Sequence, residues 1–460
     1  MIELDVAIIG GGFSGAAAAA NLARHAPPDL TLAVFDPDDL GRGAAYGTRH
    51  REHILNTRAH MMSLYVDEPD HFVRWLGPRG APDHFLPRRL YGEYVAETAH
   101  RALRELRFTH VRERAAKVVR GDGGSFIVES SSGTRYEARA VILATGNPAP
   151  NDEFLPIEVR LHAGYIDDPW RFDYRGVGGH VLVVGSGLTA LDVLVALKGC
   201  GHRGTVHVLS RRGRYPEVHE AVAPYDVIPA LDTHGARALL RSFRSHVDEA
   251  SRRGFDWRAV VDSLRPEAEA IWRRLERGER RRFERHLRTR WERHRHRAPK
   301  QVDAVREEYL RAGRLRNYAG RLLSMKRGTV TIGLRDGAIV ELRPDWIVNA
   351  SGVGRISAMK RDPLLASMLI NGVVSSDTGG IGLRVADDLS AIDPIGSVVP
   401  GLWIVGPAVR GSRFEATAVP ELRVMAELAA AEILRTRRSR RTAIPAIEQP
   451  DSSQSLEVLK

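Results

Sequence analysis

The chain has 460 residues, of which 43% are hydrophobic, and this length suits about three domains with sizeable cores. It contains one cysteine, Cys200, which excludes a disulfide framework, a cysteine-based zinc site and a redox pair of cysteines. The formal net charge is +11, but residues 251–300 hold 17 Lys or Arg against 8 Asp or Glu, so the basic charge is local. We therefore favour a solvated helix face in that region over a nucleic-acid surface.

The N-terminus argues against export and membrane insertion. Glu3 and Asp5 stand where a signal peptide needs a basic start, and no apolar stretch approaches the roughly 20 residues that span a bilayer. The sequence therefore predicts a cytoplasmic protein without a membrane partner.

The first forty residues have the pattern of a strand, a glycine turn, a helix and a second strand. Gly10 suits the tight turn, Gly12 lets backbone approach a pyrophosphate, and Gly15 permits close packing of helix on strand. The second strand ends at Asp36, whose carboxylate can accept hydrogen bonds from ribose hydroxyls. This is a dinucleotide-binding fingerprint in its proper context.

A second copy of the pattern begins with the apolar segment 181–184. Its turn consists of Gly185, Ser186, Gly187, Leu188, Thr189 and Ala190. Where the first copy has Asp36, the second has Arg211 and Arg212, and arginine at that strand end suits a 2′-phosphate. The second copy therefore favours NADPH over NADH.

Each copy also has a β-hairpin, predicted at 126–138 and at 329–342. An apolar strand follows each hairpin, and small residues follow that strand. Between them, Ile271, Leu275, Phe283, Leu287 and Trp291 form an i, i+4 ladder interrupted around Gly278, which indicates a helical insertion. The predicted fold is α/β, with two Rossmann-like dinucleotide-binding domains and this insertion.

The predicted boundaries follow from these patterns. They are 1–175 and 353–434 for a discontinuous first domain, 176–216 and 318–352 for the second domain, 217–317 for an insertion that covers the substrate, and 435–460 for a disordered tail.

Several segments carry a resemblance to a known family. They are 43–48, 53–57, 62–63, 72–76, 87–92, 168–170, 285–288, 291, 294–299, 411 and 414–423. With the two fingerprints, they resemble the two-dinucleotide-domain flavoproteins and, within that group, the bacterial FAD/NAD(P)-binding family related to YdhS. The pyridine-nucleotide disulfide reductases of the group are excluded by the cysteine count.

The resemblance implies FAD on the first domain and NADPH on the second. The residues expected to bind FAD are Gly10, Gly12, Phe13, Ser14, Gly15, Asp36, Asn56, Thr145, Gly146, Gly406 and Pro407. Many relatives have an Asp after the glycine at position 406, so backbone groups near Pro407 are expected to replace that contact. Asn56 and Arg58 are expected near the isoalloxazine, as catalytic groups.

The resemblance also implies an NADPH-using monooxygenase that acts through a flavin C4a-hydroperoxide formed with O2. The small nucleophilic substrate is expected to be an amine or amino acid, aspartate included, that is hydroxylated at nitrogen. Arg288, Arg295 and Arg297 are then expected to bind substrate carboxylates. No metal site is expected, because the nearby His294 and His296 alternate with arginines.

Two alternatives stay open at this point. One is an NADPH-dependent FAD oxidoreductase that inserts no oxygen, and the other is a non-catalytic flavin-binding interaction or sensor protein. Whether the chain forms a homo-oligomer also stays open.

Overall fold

The computed structural model describes residues 1–442, with side chains described as far as residue 439, and contains two β-sheets flanked by helices. The predicted class is confirmed: the fold is α/β, with two Rossmann-type units and a helical insertion. Within 1–442, no helix is both long and apolar enough to cross a membrane.

The first unit is built around a parallel sheet. Its strands up to residue 143 are β1 Ile2–Ile9, β2 Thr31–Phe35, β3 Arg107–Val111, β4 Ala115–Arg120, β5 Phe126–Ser130 and β6 Arg135–Leu143. The helices of this stretch are α1 Phe13–His25, α2 Gly43–Tyr46, α3 His71–Leu76 and α4 Arg88–Leu103, and α5 Ile157–Arg160 follows, with Val159 in the core of the second sheet. β1 lies between β2 and β6 and is parallel to both, so the carboxyl ends of these strands meet at one edge. The small, fully buried side chains of residues 16–20 let α1 lie close to the sheet.

The second unit repeats this arrangement. Its strands are β7 Tyr165–Ile166, β8 Val181–Val184, β9 Val206–Ser210, β10 Leu315–Lys326, β11 Thr329–Leu334, β12 Ile339–Leu342 and β13 Trp346–Asn349, and α6 Leu188–Gly199 follows β8. The strand order is β12-β11-β10-β9-β8-β13-β7. The sheet includes β7, from the region predicted for the first domain, and begins β10 at Leu315, inside the predicted insertion. The sheet therefore extends beyond the predicted boundaries on both sides.

The helices between β9 and β10 form the insertion. They are α7 Ala236–Arg252, α8 Trp257–Ser263, α9 Ala268–Arg274, α10 Arg277–His286, α11 Arg288–Arg295 and α12 Lys300–Arg311. α12 packs Val302 and Tyr309 into the core of the second unit, so the insertion proper ends before it. The predicted ladder is divided among α9, α10 and α11. It is interrupted at Leu275, whose backbone is extended, and not at Gly278, which lies within α10.

The chain then returns to the first sheet. The remaining elements are α13 Ile356–Met359, α14 Pro363–Ile370, β14 Ser390–Ile392, β15 Val398–Ile404 and α15 Val419–Thr442. β15 is parallel to β6, so the first unit combines both ends of the chain. α15 continues to Thr442, so residues 435–442, predicted as part of a disordered tail, are helical. Within this helix, Arg437 pairs with Asp5 at 3.4 Å and with Asp29 at 3.2 Å. Residues 443–460, the rest of the predicted tail, lie outside the described residues.

Candidate cofactor and active site

The first glycine loop joins β1 to α1 at the carboxyl edge of the sheet. Gly10 has φ of +102°, and a Cβ atom there would lie 2.3 Å from the carbonyl oxygen of Ala144. A Cβ at Gly15 would lie 1.9 Å from the carbonyl oxygen of Gly10, so the fold itself requires both glycines. A Cβ at Gly12 would make only ordinary contact, 3.6 Å from Gly43 Cα. Gly12 therefore leaves free space beside the backbone, and its contact with a pyrophosphate stays a prediction.

Asp36 lies beside this loop at the end of β2. Its Oδ2 accepts a hydrogen bond of 2.6 Å from the backbone N–H of Gly11, and its Oδ1 accepts one of 2.9 Å from Asp38. The carboxylate is half-buried and retains lone pairs on both oxygens. It is thus held in place to accept hydrogen bonds from a ribose as well.

The other predicted FAD residues converge on the same edge. Thr145 and Gly146 follow β6, and Gly406 and Pro407 follow β15. Gly406 has φ of +89°, and a Cβ there would lie 2.7 Å from Ser14 Oγ, which brings the end of β15 against the first turn of α1. Phe13 points into the core, where its ring stacks on Tyr91 at 6.1 Å. Loops at the carboxyl ends of parallel strands are the usual place for a dinucleotide, and these residues fit FAD.

Arg42 is a residue of this edge that the sequence analysis missed. It precedes Gly43, whose backbone packs on Gly12. Its Nε is buried without a hydrogen-bond partner among the described residues and lies 3.8 Å from Asp39 Oδ2. An unpartnered guanidinium N–H beside the glycine loop fits an anionic pyrophosphate. A lone arginine before a glycine is too weak a signal to find from sequence.

The second glycine loop joins β8 to α6. Gly185 has φ of +120°, and a Cβ there would lie 2.1 Å from the carbonyl oxygen of Ala350, whereas Gly187 has open space around its Cβ position. Ser186 Oγ lies 2.7 Å from the carbonyl oxygen of Arg214 and ties the loop to the segment after β9. Leu188, Thr189 and Ala190 form the first turn of α6. The loop therefore repeats the geometry of the first one.

Arg211 and Arg212 follow the last residue of β9, as the pattern predicted. Both are exposed, and neither forms an ion pair with a carboxylate in the described part of the chain. Loss of solvation lowers the pKa of Arg212, and the charge of Arg290 lowers it further. Two unpaired cations at this strand end fit a 2′-phosphate.

A buried polar contact joins the two units. Arg88 Nη2 on α4 lies 3.5 Å from Asp192 Oδ2 on α6, and Arg88 also stacks on Trp170 at 4.5 Å. Burial raises the pKa of Asp192 to about 6, against the opposing effect of Arg88. His53 Nε2 lies 3.0 Å from the carbonyl oxygen of Asp192, and burial lowers the pKa of His53 to about 3, so the ring is neutral and donates there. These contacts fix the orientation of the two nucleotide-binding loops.

Asn56 and Arg58 lie on the loop that precedes this contact. The carbonyl oxygen of Asn56 accepts a hydrogen bond of 3.0 Å from His219 Nε2, and no described residue bonds its side-chain amide. Burial lowers the pKa of His219 to about 4, which keeps its ring neutral. Arg58 stands 5.8 Å over the ring of Phe85. Their catalytic role stays a prediction, with both side chains available to a ligand.

The three arginines predicted to bind substrate already have partners. Arg288 pairs with Glu284 at 2.7 Å, Arg295 pairs with Glu415 at 3.1 Å, and Arg297 pairs with Asp262. The side chain of Arg297 is only 4% exposed, and its Nε is buried without a hydrogen-bond partner among the described residues. For all three arginines, substrate binding stays a prediction that requires an exchange of ion-pair partners.

Arg410 is a second residue that the sequence analysis missed. It stands four residues after Gly406 and donates from Nη2 to the carbonyl oxygen of Gly354. Its Nε is buried without a hydrogen-bond partner among residues 1–439, and burial lowers its pKa to about 10, so it remains charged. Glu292 of α11 is half-exposed beside it. Arg410 therefore carries a buried, unpartnered N–H four residues after Gly406, which suits contact with an anion.

No cluster of three or more His, Cys, Asp or Glu side chains suited to a metal occurs within the described residues.

The fold and the two loops define a flavoprotein architecture with two dinucleotide-binding units. Residues 7–148 match a family model described as FAD-NAD(P)-binding, so the chain contains an FAD/NAD(P)-binding domain. No curated protein matches the sequence significantly.

Solved structures match along nearly the whole chain. The ornithine hydroxylase PvdA from Pseudomonas aeruginosa is 13% identical, has a TM-score of 0.64 and is matched over 94% of this chain and 99% of that chain. The ornithine N-hydroxylase KtzI from Kutzneria sp. 744 is 17% identical, with a TM-score of 0.58 over 95% and 100%. The bacillithiol disulfide reductase Bdr from Staphylococcus aureus is 12% identical, with a TM-score of 0.59 over 95% and 100%. At these identities the likeness shows a shared fold.

Proposed function

We propose that the protein is an FAD-dependent, NADPH-using monooxygenase that hydroxylates the nitrogen of a small amine or amino acid. The observation that carries this proposal is the pair of glycine loops in one chain, the first with Asp36 at its strand end and the second with Arg211 and Arg212. An acid suits a free ribose and arginines suit a 2′-phosphate, so the two units are built for different dinucleotides. The likeness to PvdA and KtzI supports the choice of N-hydroxylation, since both are named as ornithine hydroxylases.

The residues of this chain have binding and shielding roles in such a reaction. FAD and NADPH together supply electron transfer and oxygen activation. The loops at Gly12 and Gly187 bind the pyrophosphates, and the pair of Arg88 and Asp192 holds the two units in register. The insertion packs on Phe414, and in such a reaction its role is to exclude water from the flavin.

The substrate is a small nucleophile whose amine must be neutral when it reacts. Arg410 carries positive charge four residues after Gly406, Arg58 carries it two residues after Asn56, and neither forms an ion pair with a described carboxylate. Two such arginines suit a substrate with carboxylates, so aspartate is the first amino acid to test.

The test uses the purified flavin-loaded protein with NADPH, and follows NADPH oxidation, O2 uptake and hydroxylated product by mass spectrometry. We expect an amine or amino acid to increase O2 uptake and to yield product in step with it. Turnover under nitrogen with an artificial electron acceptor, and no product in air, would instead identify an oxidoreductase without oxygen insertion. Bound flavin without NADPH oxidation would instead identify a non-catalytic flavin-binding protein.

A further inference from the structure

Five exposed arginines surround the carboxyl end of β9. Three of them follow the strand directly, one follows β11 and one lies on α11 of the insertion: Arg211, Arg212, Arg214, Arg335 and Arg290. Their side chains form neither an ion pair nor a hydrogen bond with any described residue.

The sheet itself brings Arg335 to this place. Ala319 of β10 pairs with Ser210, the last residue of β9, and the backbone N–H of Arg335 donates to the carbonyl oxygen of Ala319 at 2.9 Å. Asn317 Nδ2 donates to the carbonyl oxygen of Gly213 at 2.6 Å and folds the loop after β9 back over β10. The ends of β9 and β11, which lie on either side of β10, therefore present arginines at the same edge of the sheet.

The insertion brings Arg290 to the same place. Arg293 of α11 donates from Nε to the carbonyl oxygen of Tyr215 at 3.0 Å and pairs with Glu217. The backbone N–H of Glu217 donates to the carbonyl oxygen of Arg293, also at 3.0 Å. Arg290 lies one turn before Arg293 on the same face of α11, and this face is fastened to the chain just after Arg214.

Four positive charges act on Arg212. Loss of solvation lowers its pKa most, and among the charges Arg290, from the insertion, comes ahead of Arg211, Arg335 and Arg214. The carboxylate of Glu292 also interacts with Arg211, but it lies on another face of α11 and pairs with Arg288 at 3.7 Å. Like charges held together without a counter-charge cost free energy, and a multiply charged anion would offset that cost.

We propose that Arg290 and Arg335 join Arg211 and Arg212 in one site for the 2′-phosphate of NADPH. The phosphate is then held between the second unit and the helical insertion. This inference rests on the proposed function, because it requires the second unit to take a 2′-phosphorylated adenine dinucleotide. It adds to that function a specificity residue, Arg290, from outside the nucleotide-binding domain.

The test measures equilibrium binding of two probes, 2′,5′-ADP and 5′-AMP, to the flavin-loaded protein by isothermal titration calorimetry. The variants are Arg290→Gln and, as a matched control, Arg285→Gln, which alters an exposed arginine of α10 that is not among the charges around Arg212. We expect Arg290→Gln to weaken 2′,5′-ADP binding by about tenfold or more, since a charge-assisted hydrogen bond is lost. Binding of 5′-AMP should stay within about twofold, because that probe has no 2′-phosphate. Arg285→Gln should leave both affinities unchanged.

The other outcomes separate this inference from the proposed function. If the unaltered protein prefers 2′,5′-ADP and Arg290→Gln keeps that preference, the inference is overturned while NADPH use stands. Equal loss of both probes in Arg290→Gln also overturns it, since the insertion then acts on the whole nucleotide site. If the unaltered protein does not distinguish the probes, the assignment of NADPH fails first. Arg335→Gln, on a separate element, repeats the test independently of the insertion.

Discussion

Arg88 of the first unit and Asp192 of the second form a buried ion pair, with 3.5 Å between Nη2 and Oδ2 and side chains only 10% and 8% exposed. Asp192 lies one turn into α6, the helix that begins at the second glycine loop. This contact in the interior therefore links the helix that follows the second glycine loop to the unit that carries the first glycine loop.

Removal of Arg88 should destabilise the protein strongly. Arg88→Ala leaves the carboxylate of Asp192 buried without its counter-charge, and we expect the free energy of unfolding to fall by about 3–5 kcal/mol. Urea unfolding measures this change. The control is Arg89→Ala, which removes a surface pair with Glu93 at 3.3 Å and should cost less than about 1 kcal/mol. Similar losses in the two variants would contradict the role given to the buried pair.

Asp192 should also affect how stability depends on pH. Its pKa is about 6 in the folded protein and 3.8 without perturbation, so the folded state holds the proton more tightly between pH 4 and 6. The stabilisation that this proton provides is complete below pH 3.8 and is lost as the pH rises through 6, a change of roughly 3 kcal/mol. His53 has the opposite effect, because its pKa falls from 6.5 to about 3 on folding.

Asp192→Asn isolates this contribution. Relative to the unaltered protein, the variant should gain stability as the pH is raised from 4.5 to 7, since asparagine has no proton to lose. Urea unfolding of both proteins at the two pH values provides the comparison. A difference between the proteins that is the same at both values would show that Asp192 is ionised throughout.

Two glycines of the first loop should respond differently to alanine. Gly12→Ala meets only Gly43 at 3.6 Å and has a permitted φ of −64°, so the flavin-free protein should lose less than about 1 kcal/mol of stability. The added methyl group should still displace the pyrophosphate, and the purified protein should lose most of its yellow colour. Gly15→Ala, with its Cβ 1.9 Å from the Gly10 carbonyl oxygen, should fail to fold. Full flavin content in Gly12→Ala would place the pyrophosphate elsewhere.

In the second loop, Gly187→Ala should separate pyrophosphate binding from phosphate recognition. Its Cβ has no neighbour within 4 Å, so the variant should fold normally. It should raise KM for NADPH and for NADH by similar factors, because both share the pyrophosphate. Arg211→Ala, in contrast, should raise KM mainly for NADPH. Steady-state rates with both nucleotides test these two expectations. A selective effect of Gly187→Ala and an equal effect of Arg211→Ala would contradict the assignment of the loop.

Glu415 should hold the insertion against the first unit. Its side chain is 3% exposed, pairs with Arg295 at 3.1 Å and accepts a hydrogen bond of 2.9 Å from Trp291 Nε1. Glu415→Gln keeps the shape but leaves Arg295 without its counter-charge, so we expect faster proteolysis within residues 236–295. Glu432→Gln, which removes a surface pair with Arg435, is the control. Equal cleavage rates in the two variants would show that the aromatic contacts suffice.

The elements that could be predicted from sequence are those determined by residues close together in the chain. The strand of 181–184, the two glycine turns and both hairpins follow from short-range patterns of apolar, small and turn residues. β4 and β10 were not predicted, since charged residues break their apolar pattern and the neighbouring strands stabilise them. The break of the helical ladder at Leu275, which is buried in one cluster with Phe414, likewise has no local signal.

The residues of the candidate site likewise include some that the sequence could predict and some that it could not. The glycines and Asp36 could be located because their spacing alone encodes the turn that a dinucleotide needs. The contacts of Arg88 with Asp192 and of Arg295 with Glu415 join residues far apart in the chain, and a single sequence contains no signal for such pairs. This is why the arginines predicted to bind substrate proved to be paired, while Arg410 was overlooked.

The close approach of Gly406 to Ser14 has a consequence for biosynthesis. The nascent chain makes β1, α1 and the first glycine loop at its start, but β15 joins β6 only after residue 404 has been synthesised. In the meantime the ribosome must extend the second unit and the insertion while residues 141–143 of β6 have no neighbour on the side that β15 later occupies. Flavin capture should therefore be a late event, and chains that end before residue 404 should leave the ribosome colourless and prone to aggregate.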